Sequence, residues 1–292
     1  MSTAAQQIES PAQLAASRVY EISDSILAGR DGLVVVIEVY VDESGTHGGS
    51  ENVSVSAVWA DKRDWFNWTL DWVKAKGSIK VYHSTDCHNR SGEYDGWTKE
   101  QRDAHVLKML PIIRDHAIFG HFAAVSKAAV LRAVAVRTSP NMGPSVQQFI
   151  EDGFYMVCLY WALRSAWDLL HSRGHKEIAF YCESNQYGFD MAQVFASLQA
   201  LYPDREASFT IGLKAQFVPL QCADILAFEG NRQMQMKPNF YAKRRKPLEA
   251  IDPIGNRFGY LKYTAEEIGP MADFIVGRLK KLAEEDGFTF SH

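Results

Sequence analysis

Residues 33–45 read LVVVIEVYVDESG, and the fold turns on how this stretch is placed. Leu33 to Val41 is almost unbroken apolar, β-branched sequence, the pattern of a strand covered on both faces. It stops abruptly at Asp42-Glu43-Ser44-Gly45. Two acids at the carboxyl end of a buried strand lie where open α/β sheets bind their ligands. Side chains alternate across a strand, so Asp42 and Glu43 face opposite sides while the strand persists. Only one of them then joins a neighbouring strand end. Asp42 is favoured, and Glu43 takes its place if the strand breaks there.

Downstream, a Gly- and Ser-rich connection (44–50) leads to Val53, Val55 and Ala57 alternating with Ser54 and Ser56, which predicts a half-buried second strand. Lys62 to Lys76 is helical in pattern, and Trp65, Trp68 and Trp72 recur on it at core-packing spacing. Thr98 with Gln101 forms a capping box for a helix to about His116. A third strand follows from Ala117 to Val125, then a long helix from about Ser145 to Arg173, stopped by Gly174. Ile178–Cys182 and Ala207–Leu213 read as strands, Asp190–Leu201 as a helix, and Pro219 opens another helix. A last helix starts at Thr264. Before the first strand, Ala15, Val19, Ile22 and Ile26 predict an amphipathic leader helix over 1–30.

The expectation is a single domain over 31–292, carrying a helical insertion at 61–116 and a C-terminal basic loop and helix at 236–292. Without the leader and the insertion, the order is β-β-β-α-β-α-β-α. Three consecutive strands then form a meander and later ones join by right-handed crossovers. This predicts an α/β fold with a mixed five-stranded sheet flanked by helices. The first strand lies at its centre, parallel to the fourth, and the insertion sits at one edge.

That placement brings together two strand ends, Asp42-Glu43-Ser44 and Glu183-Ser184-Asn185. A third acid, Asp224, stands on the helix opened by Pro219, one turn beyond Gln221 and sharing its face. Acids in apolar surroundings are costly unless paired or bound to metal. Three converging carboxylates repel one another, and oxygen-only donors suit Mg²⁺ or Mn²⁺. The candidate site is therefore Asp42, Glu183 and Asp224, serving as catalytic groups and as metal ligands.

The segments VYVDESGT (39–46), YHSTD (82–86) and PLQCADILAFE (219–229) resemble the domain-of-unknown-function 3800 family, over about residues 35–235. That resemblance implies an RNase H-like fold, matches Asp42 and Asp224 to catalytic positions, and makes Glu183 the middle acid. It also places His83 and Asp86, with Glu43 and Gln221, as supporting groups. A further acid on the long helix is open among Glu151, Asp152 and Asp168. The implied activity is divalent-metal-dependent hydrolysis of nucleic-acid phosphodiester bonds, DNA or RNA, with two ions held by the three acids. The alternative from a different class is a non-catalytic nucleic-acid-binding or assembly component with the same shell. Third comes a metal-dependent hydrolase of a small phosphorylated molecule.

Composition narrows the rest. Of the 292 residues 47% are hydrophobic and 12% aromatic, enough to furnish a core. Cys87, Cys158, Cys182 and Cys222 show no paired spacing, so zinc and disulfide frameworks are not expected. His83, Asp86 and His88 do not complete a zinc pattern. No phosphate loop and no G-x-S-x-G motif occur. No apolar run reaches membrane-spanning length and no secretory signal is evident, so a cytoplasmic protein with reduced thiols is expected. Net charge is −4, but residues 231–248 carry Arg232, Lys237, Lys243, Arg244, Arg245 and Lys246 with no acid. This run reads as a solvated basic loop or as a patch touching phosphates, through Lys243, Arg244, Arg245 and Lys246.

Overall fold

The structure is a computed structural model that describes residues 36–46, 49–135, 144–236, 244–255 and 257–262, with positions 273, 276 and 277. The leader, Lys243 and nearly all of the expected last helix lie outside the described residues. Among the described residues six strands form one mixed sheet. They are β1 (Ile37–Ser44), β2 (Asn52–Asp61), β3 (Phe119–Ser126), β4 (Glu177–Glu183), β5 (Glu206–Gly212) and β6 (Phe258–Lys262). The order is β5-β4-β1-β2-β3-β6. The β1-β2-β3 part is an antiparallel meander, and β4 runs parallel to β1, as the element order predicts.

The expected five strands become six because β6 adds parallel to β3. Its five residues, FGYLK, are too short and too mixed for periodicity to reveal. The pairing with β3 creates this strand, so only the tertiary structure shows it.

Eight helices are described. They are α1 (Lys62–Lys76), α2 (Ser84–Asn89), α3 (Lys99–Asp115), α4 (Lys127–Ala135), α5 (Pro144–Ser172), α6 (Gly188–Leu201), α7 (Leu220–Met234) and α8 (Lys246–Ile251). The capping box is present: Thr98 Oγ1 accepts from Gln101 N, and Gln101 Oε1 accepts from Thr98 N. Alternation along the central strands separates two cores. Val39, Val41, Val55 and Val125 face α5 and α6 with Phe154, Trp167 and Leu198. Tyr40, Val58, Phe122 and Ala124 face α1, α3 and α7.

The 61–116 insertion therefore covers a face of the sheet instead of sitting at an edge. The tryptophan row decides this. Trp65, Trp68 and Trp72 are fully buried, and three aromatics on one helical stripe need a whole sheet face to bury against. Trp68 and Trp72 stack at 4.8 Å, and Trp65 Nε1 donates to the Glu38 carbonyl at 3.0 Å.

β2 is likewise buried on both faces, not half-buried. Its serines are polar because a helix backbone lies over them. Ser54 and Ser56 Oγ donate to the carbonyls of Ala227 and Ala223, each at 2.7 Å. α7 thus lies directly on the sheet. At Gly230 even a Cβ would stand 2.6 Å from the Phe122 ring, so this close approach requires glycine.

Candidate functional site

The parallel ladder between β1 and β4 ends at Val41↔Cys182, so Asp42, Glu43 and Glu183 lie just past its last rung. Asp42 follows Tyr40 on the α7 face, and Glu183 follows Tyr181, whose ring stacks on Tyr40 at 4.8 Å. Glu43 leaves towards the other face and accepts a hydrogen bond from Asn185 Nδ2 at 2.9 Å. Even so, one oxygen from each of Asp42, Glu43 and Glu183 lies within 4.8 Å of the others. Alternation separates side chains only where strands pair on both sides. Beyond the last rung, acids from both faces reach over the strand end, so the expected choice between Asp42 and Glu43 does not arise.

Asp42, Glu183 and Asp224 do converge on one cation, and it is the ε-ammonium of Lys214. Its Nζ lies 2.8 Å from Asp42 Oδ2, 2.8 Å from Glu183 Oε2 and 3.1 Å from Asp224 Oδ1. Lys214 stands in the connection between β5 and α7 and is only 4% exposed, against 2% for Asp42 and 3% for Asp224. The sequence reading missed it. Its only signal is a lone lysine in a loop directly after a strand that pairs with β4, which composition and motif do not single out.

Gln221 explains how the lysine is held. Its Oε1 accepts from Trp72 Nε1 at 2.8 Å and from Tyr82 N at 3.1 Å, while Nε2 donates to the Lys214 carbonyl at 3.1 Å. One buried amide thus ties α1, the 82–86 turn and the Lys214 loop to α7. The shared face of Gln221 and Asp224 is the site wall. Asp224 Oδ2 accepts from Ser84 N at 2.6 Å.

Electrostatics distinguish the acids. Burial pushes Asp42 well above the usual carboxylate range, repulsion from Asp224, Glu183 and Glu43 adds to this, and Lys214 offsets only part. Burial also raises Glu43, against the Asn185 hydrogen bond. For Asp224 burial is outweighed by Lys214, His83 and the Ser84 hydrogen bonds, which leave it below its ordinary value. Lys214 is held well above the ordinary lysine value, because attraction to Asp224, Asp42 and Glu183 overcomes its burial.

The donor set fits a hard divalent cation. It consists of oxygens alone, all within 4.8 Å of one another; ligands at about 2.0–2.1 Å from a shared ion stand at most about 4.2 Å apart, so binding one ion requires the carboxylates to close by up to about 0.6 Å. Asp42 Oδ2 is buried, and its close partner is the Lys214 ammonium at 2.8 Å.

The other expected residues divide. His83 Nδ1 lies 3.2 Å from Asp86 Oδ2, and its Nε2 lies 3.9 Å from Asp224 Oδ1, at a partly exposed mouth. Asp168 is engaged elsewhere, with Arg205 at 3.0 Å. In the basic run, Arg244 Nη1 donates to the Asp252 carbonyl at 2.8 Å and Arg245 Nε to Glu229 Oε2 at 2.7 Å, while Lys246 is exposed. Acids from outside the run hold both arginines, which the local sequence does not reveal. The four cysteines are free and buried, and no described helix is long and apolar enough to cross a membrane.

No family model matches the sequence, and no curated protein matches it. Among solved structures, the chain is similar to a chain of the PCNA:RNase HII complex from Archaeoglobus fulgidus. Sequence identity is 11%, the match covers 87% of this chain and 91% of that one, and the TM-score is 0.38.

Proposed function

We propose that this chain is an RNase H-like, divalent-metal-dependent phosphodiesterase acting on nucleic acid, related to the domain-of-unknown-function 3800 family. The observation that carries the reading is the meeting of Asp42, Glu43 and Glu183 at the carboxyl ends of two adjacent parallel strands. The meander followed by parallel β4 and β5 supports the fold assignment. Asp42, Glu43 and Glu183 would hold Mg²⁺ or Mn²⁺, which would supply a water of lowered pKa and charge stabilisation of the phosphoryl group.

The chain's own groups do the rest. Lys214 gathers Asp42, Glu183 and Asp224 and neutralises part of their charge, so one divalent ion suffices where the sequence alone suggested two. Asp86, 3.2 Å from His83 Nδ1, would orient the ring at the mouth, and His83 is assigned to substrate contact or proton transfer there. A second reading, a binding component without chemistry, is favoured by one observation: Lys214 already compensates the acids without any metal.

Labelled single- and double-stranded DNA and RNA, incubated with Mg²⁺, Mn²⁺ or EDTA, separate the two. The proposal expects metal-dependent cleavage that Asp42→Asn abolishes without loss of fold. A wild-type protein that cuts nothing, or cuts equally well in EDTA, refutes it.

A further inference from the structure

Beside the acidic centre, a second cavity carries an excess of positive charge. It encloses about 220 Å³, and its charged lining is Arg102, Arg232 and Arg245 against Asp103 and Glu229, with Ser84, His88 and Phe228 beside them. Ser84 is also the residue whose backbone N–H binds Asp224, so the two sites share a wall. Three guanidiniums meet here. Arg102 is paired with Asp103 at 2.7 Å and Arg245 with Glu229 at 2.7 Å. Among the described residues no acid lies within ion-pair distance of Arg232. Its Nη1 lies 2.8 Å from the His88 ring nitrogens, and its guanidinium lies 5.5 Å from the Phe228 ring centroid.

We infer that this cavity is a phosphate-binding subsite that takes a backbone phosphate of a nucleic-acid strand, with Arg232 as its principal contact. A half-buried guanidinium crowded by two others, with no acid among the described residues at ion-pair distance and only Glu229 attracting it from farther off, favours a bound anion. Burial, and then repulsion from Arg245, lower the Arg232 pKa. His88 is driven down to about 4, by burial and then by the three arginines, so at neutral pH its ring adds no charge and can accept from Arg232. The volume is below the roughly 300–1,000 Å³ of small-molecule sites, which suits a phosphate group rather than a whole nucleotide.

Position favours a strand continuous with the acidic centre. Asp224 and Arg232 are eight residues apart on α7, about 12 Å at a rise of 1.5 Å per residue. That separation spans a few nucleotides at about 3.4 Å each. The subsite requires no chemistry at Asp42, so it stands or falls separately from the nuclease reading.

The test is binding in EDTA, where metal-dependent cleavage is silent. Fluorescence anisotropy with a labelled single-stranded oligonucleotide compares wild type, Arg232→Met and Asp42→Asn, and inorganic phosphate is assayed by thermal shift. The expectation is affinity about tenfold weaker in Arg232→Met, with the salt slope reduced by about 0.7, and unweakened binding in Asp42→Asn. Arg102→Gln serves as the second variant should the Met protein not fold, and a weakened, less salt-dependent affinity is expected there too. Equal affinities and slopes in wild type and the arginine variants overturn the subsite. If phosphate raises the melting temperature of wild type but not of Arg232→Met, while oligonucleotide affinity is unchanged, the pocket takes free phosphate and the backbone assignment is overturned.

Discussion

Replacing Lys214 by methionine keeps the length of the side chain and removes its charge. In the folded protein Nζ lies 2.8–3.1 Å from three carboxylates in surroundings nearly closed to water. At an effective dielectric constant of about 20, each such contact is worth about 5–6 kcal/mol before desolvation is counted. Desolvation of the buried ions cancels most of that sum. Deleting one partner of a buried pair nevertheless leaves the other charges uncompensated, and costs about 3–5 kcal/mol. We therefore expect Lys214→Met to lose about 3–5 kcal/mol in urea unfolding at pH 7.5 in EDTA.

The pH dependence follows from the shifts. Lys214's folded pKa is raised, so its contribution is intact below the ordinary lysine value and is lost only as pH rises through the folded one. Asp42 and Glu43 are raised already in the wild type, and without the ammonium Asp42 rises further. The methionine variant then recovers stability as pH falls and these acids take up protons. Millimolar Mn²⁺ should also raise its melting temperature more than that of wild type, since the ion replaces the missing charge. A variant within about 1 kcal/mol of wild type at pH 7.5, indifferent to pH and to Mn²⁺, would refute the account of Lys214 as the cation that holds the acids together.

Two further outcomes bear on the same architecture. Gln221→Leu strands Trp72 Nε1, Tyr82 N and the Lys214 carbonyl, and should cost about 3 kcal/mol or more. In a double-mutant cycle its effect should not add to that of Lys214→Met, and additivity would show that the amide does not position the lysine. His121 is buried, donates from Nε2 to the Ala162 carbonyl at 2.9 Å, and is pushed by burial down to about 4. Its folded pKa is depressed by burial, so its contribution is complete above about pH 6.5 and is lost as pH falls towards 4, at up to about 1.4 kcal/mol per pH unit. Urea titrations across that window should show a shallower loss in His121→Gln, and identical slopes would contradict the assignment.

The sequence by itself determined the strand meander, the parallel pairing of β1 with β4, and the strand-end position of Asp42 and Glu183. These follow from local physics: apolar β-branched runs, alternation, a capping box, and glycine where a turn or helix must stop. It also named Asp224 and Gln221, because a three-residue spacing on a helix fixes a shared face. Only the tertiary structure decided what the acids meet. Lys214 reaches them from a connection after β5, and no local pattern marks a lysine that pairs with residues from three separate elements. The same limit hid β6, which exists through its ladder with β3, and hid the face coverage of β2, whose serines are spent on α7 carbonyls. Arg244 and Arg245 read as a free basic run until Asp252 and Glu229, eight and sixteen residues away, are placed beside them. Among the described residues, Arg232 has no acid at ion-pair distance. Charge compensation in a folded chain is set by neighbours in space, and the sequence supplies only neighbours along the chain.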